Sequence, residues 1–110
     1  MEIIGAKGKI SINSDKDLVS LAQVLSKGFQ IPEFYIKTDM DSPHSKTAMS
    51  EAFGFESWLY KSDTEKYSYI FEMSTMNNSF ENGMNKMHDL SAWMAKYATD
   101  VCGLAATVAH

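Results

Sequence analysis

Phe55-Glu56-Ser57-Trp58-Leu59-Tyr60-Lys61 and Tyr67-Ser68-Tyr69-Ile70-Phe71-Glu72-Met73-Ser74 both alternate, and Ser62-Asp63-Thr64-Glu65-Lys66 joins them. Two period-2 runs separated by a short polar link predict an antiparallel hairpin. On its second strand Tyr67, Tyr69, Phe71 and Met73 share one face, while Ser68 and Glu72 mark the other as partly wet. A sheet with one solvated face needs helices on the other, so the hairpin sets the search for the remaining elements.

Working toward the N-terminus, Ile4, Ala6, Gly8, Ile10 and Ile12 alternate with Gly5, Lys7, Lys9 and Ser11, which predicts a strand over 4–12. A helix over about 15–27 follows. Ser14 is its expected N-cap and Asp17 the capping-box acid; Leu18, Leu21, Ala22 and Leu25 recur at helical spacing, and Lys27-Gly28 reads as its basic last turn and left-handed stop. Glu33 to Thr38, after Ile31-Pro32, alternates as a second strand. Residues 39–50 are polar and broken by Pro43, which predicts a surface loop with a short helical turn near Thr47–Ala52.

Toward the C-terminus, Asn77-Asn78-Ser79 reads as a capping cluster opening a last helix. An apolar stripe then runs Phe80, Gly83, Met87, Leu90, Met94, Tyr97, Val101, Leu104, Val108 at alternating three- and four-residue steps, with Gly83 and Gly103 weakening it. Its ordinary use is to face a sheet; its other use is a seam between two copies over Met87–Val108. The expectation is one α+β domain over residues 1–110, in the order β-α-β-β-β-α. It would hold a roughly four-stranded, mainly antiparallel sheet with two helices packed on one face.

Composition narrows the function classes. The chain has 110 residues, 45% hydrophobic and 22% charged, and a net charge of -4. All ten basic residues are lysines. Arginine, which forks onto phosphates and guanine edges, is absent, and an acidic chain lacks the basic footprint of nucleic-acid or anionic-membrane binding. Residues 1–50 balance six lysines against six acids, and residues 51–110 hold four against eight. A basic partner is the electrostatic complement. One cysteine, Cys102, cannot form an internal disulfide, and Met1–Lys7 lacks the apolar core of a signal peptide, so the expected location is the cytoplasm.

No stretch carries recognisable catalytic or metal chemistry. Gly5-Ala6-Lys7-Gly8-Lys9 lacks the spacing of a phosphate loop, with Ile3 and Ile10 where Gly and Ser/Thr belong. Asp39-Met40-Asp41 with His44 offers too few ligands for calcium or zinc. His88 lies one position off the apolar stripe, and Cys102 has no local base to lower its pKa. Met84, Met87 and Met94 read as core fillers. The expectation is a non-enzyme without cofactor or metal.

One strip stands out. Glu56, Trp58 and Tyr60 point the same way on one strand, and Asp39, Asp41 and Glu51 precede them. Aromatic anchors ringed by acids suit a hot spot for a basic protein partner. Trp58 itself has two placements open, core or anchor.

In length, acidity, α+β form and absence of an enzyme motif, the chain resembles small bacterial immunity proteins that neutralise toxins, including those of contact-dependent growth inhibition systems. That resemblance implies tight binding to a cognate toxin domain, often a basic nuclease, with its active site blocked or an adjacent exosite covered. The strip Asp39, Asp41, Glu51, Glu56, Trp58 and Tyr60 comes from charge and alternation alone. Two other uses fit the sequence: a self-associating structural or phage-type protein built on the C-terminal stripe, and a small ligand-binding domain or enzyme with a pocket between sheet and last helix.

Overall fold

A computed structural model describes residues 3–39, 42–52, 54–62, 68–75 and 86–109. The first strand, β1 (Ile3–Asn13), puts Gly8, Ile10 and Ile12 on a buried face, as alternation requires. Helix α1 (Leu18–Phe29) starts later than expected, because Asp17 rather than Ser14 takes the N-cap: its carboxylate accepts from the Ser20 amide at 2.8 Å. Those hydrogen bonds hold the Asp17 carboxyl below its usual pKa. The stop is also displaced. Gly28 stays inside the helix, and Gln30, with φ 56°, is the left-handed residue. Glycine serves a different purpose at 28, since a Cβ there would collide with the Cys102 sulfur.

Strands β2 (Tyr35–Asp39), β3 (Ser42–Ala52), β4 (Phe55–Lys61) and β5 (Ser68–Thr75) form an antiparallel meander. The hairpin of β4 and β5 is as expected. β3 corrects the sequence reading: residues 42–52 are a strand and not a loop with a helical turn. Pro43 is accommodated because the pairing slips there. Thr38 faces Lys46 and Asp39 faces Ser42, so the residues between bulge out of the ladder, where a missing N–H costs nothing.

The C-terminal third departs furthest. In place of one long helix, the chain forms β6 (Lys86–Asp89), a short helix α2 (Ser91–Asp100) and β7 (Ala105–Val108). Gly103, at φ 68°, turns the chain from α2 into β7. A helical seam over Met87–Val108 therefore has no continuous helix to carry it. Asn77–Ser79, Phe80, Gly83 and Met84 lie outside the described residues, as does Tyr67.

The sheet has seven strands among the described residues, in the order β2-β3-β4-β5-β1-β6, with β7 also on β1. β6 runs parallel to the first part of β1 and β7 antiparallel to the last part, so the two share one edge. Helix α2 links them by crossing over Gly8, where a Cβ would stand 3.1 Å from the Leu90 carbonyl carbon and the Ser91 nitrogen. Both helices pack on the same face. Leu21 and Leu25 of α1 and Met94, Ala95 and Ala98 of α2 join Ile10, Ile12, Leu59 and Phe71 in one core. Phe71 is fully buried at its centre, with the Phe29 ring edge-on at 5.3 Å and Phe34 at 6.2 Å.

Candidate functional site

With both helices on one face, the opposite face of the sheet carries the alternate residues of every strand. No described helix covers it. Strand register arranges these residues in three rows. The first runs Tyr35, Met49, Trp58, Glu72, Lys9; the second runs Lys37, Thr47, Tyr60, Ile70, Ser11; the third runs Glu51, Glu56, Ser74, Lys7, Asp89. Paired residues on one face stand close enough for their side chains to interact, so each row is a contact series.

Trp58 thus sits on the helix-free face and is half-buried there, between Met49 and Glu72. The Tyr35 hydroxyl points at the Met49 sulfur, 3.9 Å away, and the Lys37 ammonium lies 5.9 Å from the Tyr35 ring centre. The Tyr60 hydroxyl donates to a Glu72 carboxylate oxygen at 3.0 Å, and the Lys9 ammonium approaches the same oxygen at 3.6 Å. Burial, with the Glu72 carboxylate adding to it, pushes the Tyr60 phenol up to about 12. This link holds the Tyr60 ring against Glu72.

The acids are distributed unevenly. Glu51 and Glu56 face each other directly across β3 and β4, and neither is ion-paired among the described residues. Like charges in directly opposed positions disfavour a sheet, so a cation brought between them would relieve repulsion. Glu72 is already engaged by Lys9, and Lys7 lies in the same row as Glu56, beyond Ser74. The uncompensated charge of the face is therefore acidic and lies at the Glu51–Glu56 end, while the lysines of β1 are offset by Glu72 and Asp89. A hollow of about 350 Å³ opens beside Trp58, walled by Lys7, Lys9, Glu72, Ser74 and Asp89. Hydrogen bonds from the Ser91 hydroxyl and amide hold the Asp89 carboxyl below its usual pKa.

Of the residues singled out in the sequence, Glu51, Glu56, Trp58 and Tyr60 come together on this face. Asp39 contributes its backbone to the end of β2, opposite Ser42. Asp41 lies outside the described residues. His88 is exposed on β6 rather than borne on a helix, and His44 falls in the bulged start of β3. Burial raises the Cys102 thiol pKa. Among the described residues no group of three His, Cys, Asp or Glu is placed to hold a metal, and no helix is long and apolar enough to cross a membrane.

One aromatic cluster escaped the sequence reading. Trp93, 53% exposed, stacks on Tyr97 at 5.1 Å, and Phe29 meets both rings. The i,i+4 spacing of Trp93 and Tyr97 on one helix was the available signal. No protein-family model, curated protein or solved structure matches the chain.

Proposed function

We propose that this protein is a non-enzymatic binding domain whose helix-free sheet face engages a basic protein partner, in the manner of a toxin-neutralising immunity protein. The observation that carries the reading is the placement of Trp58 and Tyr60 on that face beside the uncompensated Glu51–Glu56 pair. The Tyr60 ring, already held by Glu72, loses little side-chain freedom on binding, which favours slow release. An acidic end of the face favours fast encounter with a basic surface. The hollow beside Trp58 has room for a large partner side chain.

The test is growth rescue against a panel of basic nuclease toxin domains, followed by binding kinetics on any rescued pair. Glu56→Lys is expected to slow association about tenfold at low salt, and Trp58→Ala to speed dissociation at least as much. Rescue from none of the toxins removes the immunity role. Binding unchanged in both variants removes the surface.

A further inference from the structure

We propose that β2 is a docking edge for a second copy of this chain, paired antiparallel with Tyr35 opposite the second copy's Tyr35. β2 ends the sheet, and among the described residues no strand lies beyond it. Alternate N–H and C=O groups of such an edge point outward, ready to continue the ladder. The apolar surface nearby is conspicuous. Three of the five large hydrophobic residues exposed among the described residues lie here: Tyr35 at 47%, Ile36 at 39% and Val19 at 51%. Val19 and Ile36 line a notch of about 80 Å³ between α1 and the β2 edge, together with Ala22, Glu33 and Phe34. Helix α1 packs mainly over β3 and β4, so it stands back from the edge and leaves room for another strand.

The occupant follows from the chemistry of Glu33-Phe34-Tyr35-Ile36-Lys37. Read in either direction from Tyr35, the order is aromatic, apolar, charged, with opposite charges at the two ends. Turned about Tyr35, two copies set Phe34 against Ile36 twice on the helix face. They also set Glu33, in the lead-in to β2, against Lys37 twice. Every pair is of a favourable kind. The neighbouring registers that keep the faces matched are poorer: centring on Phe34 leaves Lys37 opposite Ile31, centring on Ile36 opposes Glu33 to Asp39, and centring on Lys37 opposes two lysines. Shifts by a half step set a helix-face residue against an open-face one, which the pleat forbids. The Ser50 hydroxyl donates to the Pro32 carbonyl at 2.7 Å, which keeps the lead-in to β2 alongside β3 and in line for pairing. A lone edge lysine ordinarily discourages strand addition; here the alignment gives Lys37 an acid, Glu33, and the other face-matched alignment over residues 33–39 that does so, centred on Thr38, runs off the end of β2 at Asp39.

The pairing extends the sheet in its own plane and leaves Trp58 and Tyr60 uncovered, so it is independent of the partner-binding reading. Sedimentation velocity over about 5 to 500 µM is expected to show a weak monomer–dimer equilibrium, as suits a small interface. Glu33→Lys and Lys37→Glu alone each oppose like charges at two positions and should raise the dissociation constant at least about tenfold. Mixed together, the two variants should associate with each other, because both cross-pairs are again opposite in sign. Far-UV circular dichroism checks that each variant remains folded, which exposed substitutions permit. A wild-type chain that stays monomeric over the whole range overturns the proposal. So does dimerisation unaffected by either charge reversal, or failure of the mixed variants to associate.

Discussion

At one edge of the sheet, two strands divide the outer side of β1 between them, β6 along Ile3–Lys7 and β7 along Ile10–Asn13. At the other, β2 faces no strand. The closed edge depends on close fits. The chain leaves β6 through Leu90, whose amide donates to the Lys7 carbonyl at 2.7 Å. It crosses β1 at Gly8 and returns so that the Ala109 amide donates to the Lys9 carbonyl at 3.1 Å. Between those two points the Lys9 amide donates to the Ser91 hydroxyl at 2.9 Å. The open edge has no such requirements and keeps Tyr35 and Ile36 in solvent. Substitutions at the closed edge should therefore appear as lost stability, and those at the open edge as lost association.

Four experiments break or sharpen that contrast. Phe71→Ala removes the ring that Phe29 and Phe34 both touch, at the point where the two halves share a core; a loss of about 3–5 kcal/mol in urea unfolding is expected. A loss below about 1 kcal/mol would mean that the halves are stabilised separately. Gly8→Val drives a branched side chain into the Leu90–Ser91 backbone and the Met94 sulfur, and should destabilise by about 2–3 kcal/mol. If its urea midpoint matches wild type, α2 does not cross β1 closely.

The Tyr60–Glu72–Lys9 link ties the middle of the open face to β1, and it gives a pH signature. The folded Tyr60 pKa of about 12 is raised above the ordinary 10. The protonated phenol thus stabilises the fold fully below pH 10, and this contribution fades as pH rises from about 10 toward about 12. Alongside Tyr69, whose phenol pKa burial also raises, Tyr60 should ionise late in an ultraviolet titration. In Glu72→Gln it should ionise earlier yet still above 10, because burial is the larger cause. The smallest expected change is at the open edge: Ile36→Thr should alter stability by no more than about 0.5 kcal/mol while weakening self-association. A large stability loss there would show that the edge is part of the core.

Apart from β3, the chain from β1 to β5 was legible because large apolar residues alternate or recur on the face that must be buried. Ile10 and Ile12, Leu21 and Leu25, Leu59 and Phe71 all reach the core as their spacing predicts. β3 was silent for a physical reason. The residues it turns toward the helix face are Ala48 and Ser50, both buried and both small, and α1 likewise buries the small Ala22 and Ser26. A helix lying on small side chains leaves no hydrophobic alternation to read, and Pro43 argued further against a strand. The C-terminal stripe misled because its spacing fits two structures. Leu104 and Val108 suit a helix at i,i+4, yet with Ala106 they are also the inward side of a strand. Gly103 decided between them through its positive φ. Of the partner strip, alternation alone placed Glu56, Trp58 and Tyr60 together; that Glu51 stands directly across from Glu56 required knowing that β3 is a strand.

The far ends of the two helices are fastened at one spot. There the Tyr97 hydroxyl donates to the Gly28 carbonyl at 2.6 Å, and the Cys102 sulfur fills the space a side chain at 28 would need. The chain's single thiol therefore sits at the junction of the two helices. Partial burial disfavours its thiolate, so it should alkylate more slowly in the folded protein than in the unfolded chain, with no label added and no residue changed.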